Sequence, residues 1–160
     1  MKILEVNEIN QDVIYEISKK FRNAIEIMNL SEEQNDFMYI KHFPHGCCGV
    51  VSLMLGAYLH SLGLNEHEYV CGERNGFSHA WLEYKGMIID ITSDQFEDGR
   101  EVNVGLENDL YLSFQQRKRH AWNDSLDGRC IERDRLFPLY KVILNKISFG
   151  KQPTNFFPGF

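Results

Sequence analysis

The stretch SHAWLEYKGMIIDIT, residues 78–92, predicts an antiparallel β-hairpin. Two runs rich in aromatic and β-branched residues flank Lys85-Gly86, a pair suited to a two-residue turn. Antiparallel partners on either side of this turn share a face of the sheet. One face carries His79, Trp81, Ile88, Asp90 and Thr92, and the other carries Ala80, Leu82, Tyr84, Met87, Ile89 and Ile91. The second face is suited to a core, and the first brings an imidazole and a carboxylate together, with backbones about 6–8 Å apart.

Two longer helices are predicted before this hairpin. Apolar residues recur at helical spacing over residues 13–28, and Asn10 is a plausible N-cap for that helix. The next helix is predicted to begin at Cys48 or Gly49 and to end at Gly63. No acidic residue stands in its first turn, so its free N–H groups and the positive end of its dipole are available to another group.

The remaining segments predict a small α+β protein. A C-terminal helix is predicted to start near Pro138, because proline suits the first turn of a helix. Shorter elements are predicted as a capping-box helix at 31–34, strands at 102–104 and 110–114, and an extended arm at 150–160. No linker or repeat divides the chain, which indicates a single domain over residues 1–160.

Composition excludes several classes of function. The chain has 160 residues, 43% of them hydrophobic, with a net charge of −6, which argues against a protein that binds the nucleic-acid backbone. The one basic run, residues 117–120, is typical of a solvated face. No apolar run reaches the about 18 residues of a membrane span, and the four cysteines suggest no disulfide framework. We therefore expect a cytoplasmic protein without a nucleic-acid or membrane partner.

The segment FPHGCCGVVSLMLGAYL, residues 43–59, places two adjacent cysteines at the mouth of the second helix. A thiol there has its thiolate favoured by the helix dipole and by a nearby imidazolium. His79 can act as base and then as acid, and Asp90 can fix its tautomer. These residues predict a Cys-His-Asp triad in chain order. Either Cys47 or Cys48 can be the nucleophile, and Cys48 projects at the positive end if the helix begins there.

These two segments resemble the core of the transglutaminase-like superfamily, within the wider papain-like cysteine fold. The resemblance is carried by the cysteine that opens a helix, the HAW-E strand and the D-x-T strand, and it extends to FP before the cysteines and DQF at 94–96. It is strongest to small bacterial members whose substrates are not defined. The resemblance implies that His79 and Asp90 are catalytic. It also selects Cys48, the cysteine that precedes glycine, although Val50 stands where those relatives often carry an acidic residue.

Neighbouring residues supply candidates for supporting roles. The backbone N–H of Cys48 is a candidate oxyanion-hole donor, and His42 or His45 is a candidate side-chain donor. Trp81 is expected to shield the imidazole or to line the cleft. His42, His45, Cys47 and Cys48 also offer four potential zinc ligands, but they lack a CxxC or HExxH spacing. We therefore expect no metal and no other cofactor.

The combined hypothesis is an enzyme of papain/transglutaminase-like architecture, with the nucleophile-bearing helix packed on a small antiparallel sheet. Its predicted activity is thiol-dependent acyl transfer on an amide or ester, through a thioester, with a peptide or protein as substrate. Hydrolysis, deamidation and transamidation all remain open. One alternative is a non-catalytic papain-fold binding, adaptor or immunity-type protein. The other is an acyltransferase of the arylamine N-acetyltransferase kind, which uses the same order of residues but a longer chain.

Overall fold

The structure is a computed structural model that describes residues 10–29, 38–122 and 130–148. The predicted capping-box helix at 31–34 and the predicted arm at 150–160 lie outside these residues. Within them the chain is a mixed α and β protein built on one five-stranded antiparallel sheet. None of the helices described is both long enough and apolar enough to cross a membrane.

The described elements are four helices and five strands, with two short 3₁₀ turns. The helices are α1 (Gln11–Asn29), α2 (Cys48–Ser61), α3 (Asp109–Leu112) and α4 (Cys130–Ser148). The strands are β1 (Glu68–Arg74), β2 (Phe77–Tyr84), β3 (Met87–Asp90), β4 (Asn103–Gly105) and β5 (Gln115–Ala121). The 3₁₀ turns are Met38–Ile40 and Ser93–Gln95. Across the sheet the strands lie in the order β4-β3-β2-β1-β5.

The predicted hairpin is confirmed as β2 and β3. Lys85 and Gly86 form its turn with φ of 48° and 77°, the left-handed values that a two-residue hairpin of this kind requires. The pairs Tyr84–Met87 and Leu82–Ile89 have the predicted register. The prediction that pairing continues to Trp81–Asp90 and His79–Thr92 is wrong, because the ladder ends at Leu82 and the chain leaves the sheet after Asp90.

Both faces of the sheet are covered, one by helices and the other by a largely aromatic cluster. The face with Leu82, Tyr84 and Ile89 packs against α1 and α2, and α4 packs in turn on these two helices; together they form the larger core. The opposite face carries a second, largely aromatic cluster formed by Val70, Trp81, Ile88, Leu110, Tyr111 and Phe114, with Phe96 packed against it. His79 belongs to this second face, as predicted, and its ring contacts three of these aromatic rings.

Helix α2 is confirmed with the predicted ends. It begins at Cys48 without an acidic residue in its first turn. It ends where Gly63 takes a φ of 91° and Leu64 N–H donates to the carbonyl of Leu59, since glycine adopts this left-handed conformation at low cost. One side of α2 packs on β2, so the start of this helix lies beside the strand that carries His79.

Two predictions are wrong, namely the start of the C-terminal helix and the strand at 110–114. The C-terminal helix begins at Cys130 and contains Pro138 in its interior. A proline inside a helix costs about 3 kcal/mol, but a stripe of buried residues, Leu136, Leu139, Ile143 and Ile147, lies on both sides of it and packs with the core. Residues 110–114, predicted as a strand, contain α3, because the side chain of Asn108 accepts from Leu110 N–H and caps a helical turn.

Candidate active site

The imidazole and the carboxylate predicted from the hairpin are in direct contact. His79 Nε2 lies 2.6 Å from Asp90 Oδ2, and both residues are 1% exposed. The other oxygen of Asp90 accepts from the backbone N–H of Thr92 at 2.9 Å and from its hydroxyl at 3.2 Å. Tyr111 donates its hydroxyl to Asp90 Oδ2 at 2.8 Å. Four hydrogen bonds satisfy both oxygens of this buried carboxylate, so Asp90 can orient the imidazole and interact with its charge.

The start of α2 brings Cys48 to the same imidazole. Burial alone would raise the pKa of the Cys48 thiol, but its hydrogen bond with His79 and the charge on that ring lower the pKa below its ordinary value. Burial also opposes a charge on His79, yet the charge and hydrogen bond of Asp90 raise the pKa of His79 to about 9. Opposite shifts of two partners favour a thiolate–imidazolium pair.

Helix α2 is attached to β2 through both backbone polar groups of Ala80. Ser52, one turn after Cys48, donates its hydroxyl to the carbonyl of Ala80 at 3.3 Å. The backbone N–H of Ala80 donates to Cys48, which also lowers the pKa of that thiol. In a strand the N–H and C=O of one residue point to the same side. Since β3 no longer pairs with β2 beyond Leu82, the helix occupies the position that a strand would take.

The structure separates the two adjacent cysteines. Cys47 precedes α2, is 2% exposed and belongs to the larger core. Burial and the neighbouring Cys48 raise the pKa of the Cys47 thiol to about 12, so it is a poor nucleophile at neutral pH. Cys48 is the cysteine that reaches His79, and this geometry supports Cys48, the predicted nucleophile, over the alternative Cys47.

Aromatic rings enclose the imidazole. The ring centroids of Trp81, Phe96 and Phe114 lie 5.8 Å, 5.1 Å and 5.5 Å from that of His79. The indole N–H of Trp81 donates to Glu83 at 3.1 Å, so Trp81 offers a ring face rather than a hydrogen bond. These rings exclude water from the His79–Asp90 pair, which strengthens the electrostatic interaction between them.

Gln95 also binds His79, although no role was predicted for it from the sequence. Its Nε2 lies 2.5 Å from Nδ1 of the imidazole, on the opposite ring nitrogen from Asp90. Gln95 closes the 3₁₀ turn Ser93–Gln95, which folds the chain back over the end of β3. The DQF motif at 94–96 pointed to this segment, but only its fold places an amide at the imidazole.

A buried arginine fixes the segment that carries Gln95. Arg22 of α1 donates to both carboxylate oxygens of Asp94 at 2.7 Å, and to the carbonyls of Ile91 at 2.8 Å and Glu101 at 2.9 Å. Its guanidinium also lies over the ring of Phe43, 4.9 Å from the centroid. Arg22 therefore joins the chain that leads to Cys48 with the chain that follows Asp90.

The other predicted side chains stand apart from this network. His42 and His45 are exposed in the turn before α2, and the structure does not place them among the hydrogen-bond partners of His79 or Asp90. Within the residues described, no group of three or more His, Cys, Asp or Glu side chains is arranged to hold a metal ion. The site is therefore best described as a thiol, an imidazole and a carboxylate, with Gln95 and Tyr111 as additional members.

Comparison with known proteins returned no match. No protein-family model matches the chain, and neither a curated protein nor a solved structure matches it. What this site can do is therefore argued from its own geometry.

Proposed function

We propose that this protein is a cysteine enzyme that performs acyl transfer on an amide or ester, with Cys48 as nucleophile, His79 as base and acid, and Asp90 as the group that orients His79. The observation that carries the proposal is the buried 2.6 Å contact between His79 and Asp90, beside a thiol at a helix start whose pKa is lowered. A helix bearing the thiol against a small antiparallel sheet also agrees with the proposed papain/transglutaminase-like architecture.

The proposed chemistry follows from where the protons lie. The Cys48 thiolate attacks the carbonyl carbon, and the resulting oxyanion is met by N–H groups at the start of α2, which have no partners within the helix. The imidazolium of His79 gives its proton to the leaving group, and a thioester remains on Cys48. His79 then takes a proton from water or an amine, which attacks the thioester and releases the thiol.

We propose a peptide or protein as the substrate. Water as the second nucleophile gives a protease, amidase or deamidase, and an amine gives a transamidase. The three described cysteines Cys47, Cys48 and Cys71 are free thiols. A nucleophilic thiol needs a reducing environment to stay active, and we therefore propose that the protein acts in the cytoplasm.

The test is the pH dependence of Cys48 alkylation by iodoacetamide, resolved from Cys47 by tandem mass spectrometry. Because His79 lowers the pKa of Cys48, we expect rapid labelling well below pH 8. His79→Ala removes the imidazolium that lowers the pKa of Cys48, so the alkylation midpoint should move upward. Turnover of an amide substrate should decline above about pH 9, where His79 loses the proton that it must donate.

Cys47 is the internal control, since its raised pKa predicts slow labelling over the same range. Labelling of both cysteines with a midpoint near that of a model thiol, about 8.5, would contradict the proposal. That result would favour a non-catalytic binding protein with the same fold.

A further inference from the structure

Two groups compete for one nitrogen of His79. Nε2 is engaged by the Asp90 carboxylate at 2.6 Å, and Nδ1 is engaged by Gln95 Nε2 at 2.5 Å. The Cys48 thiol also hydrogen bonds to this ring, and with Nε2 occupied it must use Nδ1. A ring nitrogen has either one hydrogen or one lone pair in the ring plane. The carboxamide and the thiol therefore cannot both have a well-aligned hydrogen bond to Nδ1.

The two arrangements require different protonation states. Gln95 Nε2 is a donor, so its contact with Nδ1 needs an unprotonated Nδ1 and a neutral ring whose single hydrogen points to Asp90. The thiolate–imidazolium pair needs a hydrogen on Nδ1. In that state the amide N–H and the ring N–H would face each other at 2.5 Å, and the amide would have to turn or move away.

Gln95 is held firmly in this position. Its backbone N–H donates to the carbonyl of Thr92 at 3.2 Å. The preceding residue, Asp94, is bound through both carboxylate oxygens by the buried guanidinium of Arg22. Displacing the Gln95 side chain therefore requires rotation about its own bonds, because the backbone of the turn is fixed.

Few charged groups act on His79 besides its two partners. Among the described residues, the ionisable groups that shift its pKa are Asp90 on β3 and Cys48 on α2. The other contacts come from the aromatic rings of Trp81, Phe96 and Phe114. A neutral hydrogen-bond donor at Nδ1 is then a substantial influence on whether this ring is charged.

We propose that Gln95 is a positioning residue that weakens the thiolate–imidazolium pair of the resting site, by donating to the imidazole nitrogen that the Cys48 thiolate needs. Full charge separation then requires Gln95 to release Nδ1, as when a substrate carbonyl entering beside Cys48 offers the amide another acceptor. This inference rests on the proposed function and adds a means of regulating the same site.

The sign of the effect follows directly. A donor to Nδ1 stabilises neutral His79 and withholds the imidazolium from Cys48. Removing the donor should therefore let the Cys48 thiolate and the His79 imidazolium coexist at lower pH than in the wild-type protein. If Gln95 only filled space, the opposite result would be expected. Its loss would loosen the site and slow the alkylation of Cys48 at every pH.

The experiment compares Cys48 alkylation by iodoacetamide at pH 5.5 in Gln95→Met and Gln95→Glu with that in the wild-type protein. Methionine has a similar size but no amide, and we expect labelling about three- to tenfold faster, which corresponds to about 0.5–1 pKa unit. Glutamate should slow labelling, because its carboxylate accepts from Nδ1–H and repels the thiolate. Gln115→Met, at an exposed position of β5, is the matched control and should leave the rate unchanged.

A second measurement does not depend on the thiol. The pKa of His79 is read from its ring resonances in Cys48→Ala and in Cys48→Ala with Gln95→Met, and the inference expects a higher value in the double variant. Fast wild-type labelling below pH 8, with Gln95→Met equal or slower and no rise of the His79 pKa, would overturn the inference and leave the proposed function standing. Slow wild-type labelling with an ordinary thiol midpoint would overturn both.

Discussion

The hydrogen bonds of Asp90 are divided unequally between its two oxygens. Oδ1 accepts twice from Thr92, whereas Oδ2 accepts from both Tyr111 and His79. Because the Tyr111 hydroxyl and His79 share one oxygen, the phenol withdraws part of the negative charge that would otherwise act on the imidazole. Tyr111 therefore moderates the effect of Asp90 as well as satisfying a buried carboxylate.

Tyr111→Phe tests this division. We expect the free energy of unfolding to fall by about 1.5–3 kcal/mol, the range for a lost hydrogen bond to a charged group. We also expect the pKa of His79 to rise further, since Oδ2 then interacts with the imidazole alone. Urea denaturation gives the first quantity and the ring resonances of His79 give the second. Tyr15→Phe, on the exposed side of α1, is the control, and a fall in the His79 pKa would contradict the argument.

The site residues that were predicted from the sequence are those placed by the alternation of side chains along a strand. His79 and Asp90 share a face because alternate residues of a hairpin do so. Strand alternation could not predict Tyr111 and Gln95, because each reaches the site from a short helical turn whose direction depends on tertiary contacts. Cys48 was preferred over Cys47 because it precedes glycine, but Cys47 stayed an alternative, since sequence patterns place a helix start only to within one or two residues.

Among the elements, the junction of α2 with β2 determines where the thiol lies. Ser52 and Cys48, one helical turn apart, bind the C=O and N–H of Ala80. Two side chains one helical turn apart can therefore bind the N–H and the C=O of a single strand residue. This junction aligns the helix by direct hydrogen bonds as well as by the burial of Val51 and Leu55.

Ser52→Ala should loosen this junction. It leaves the buried carbonyl of Ala80 without its donor, and we expect a loss of about 1 kcal/mol in unfolding free energy, at the low end for such a change because the bond is 3.3 Å long. Alkylation of Cys48 at pH 6.5 should also slow, since the thiol is less well held. Ser61→Ala, at the exposed end of the same helix, controls for helix propensity. Equal rates in the two variants would show that packing alone positions α2.

Elements with a strong apolar pattern were predicted well, and elements set by tertiary contacts were not. The turn of the hairpin and the ends of α2 lie where they were expected, because Lys85-Gly86 marks the turn and Gly63 marks the end of the helix. Pro138 misled the prediction of α4, since the burial of apolar residues on both sides of it outweighs a local preference. Residues 110–114 are mostly aliphatic and aromatic, which favours a strand, and the cap supplied by Asn108 decides for a helix.

Across the whole molecule, Arg22 links the helical layer to both segments of the site. Arg22→Met removes the partner of Asp94 and leaves two carbonyls without a donor. We expect a loss of about 3–5 kcal/mol in unfolding free energy, as for a broken buried ion pair, measured by urea denaturation. Such a loss is a large share of the stability of a typical domain.

Arg74→Met supplies the matched control. Arg74 also forms a two-point ion pair, with Asp98, but on the surface. Removing it should cost no more than about 1 kcal/mol. Similar losses of unfolding free energy in the Arg22 and Arg74 variants would show that Arg22 does not link the helical layer to the two segments of the site.

The order of the strands could not be predicted from the sequence. Local patterns identified the β2–β3 hairpin, but they contain no information that places β5 beside β1 or β4 beside β3. Those pairings depend on contacts between residues far apart in the chain. In the basic run at 117–120, Lys118, Arg119 and His120 are exposed as expected, whereas Arg117 is half-buried with its guanidinium over the ring of Trp81. Only the fold shows that the run lies on β5, at one edge of the described sheet.

The two edge strands of the described sheet affect whether the protein aggregates at high concentration. As far as the described residues extend, one margin is β4, with three residues, and the other is β5, where Lys118 and His120 are exposed. The backbone of β5 is also irregular, with Gln116 at a φ of 52° and a register shift against β1. Short, charged or irregular margins give an incoming strand few backbone partners. The basic run therefore opposes the growth of this sheet, copy upon copy, into fibrils.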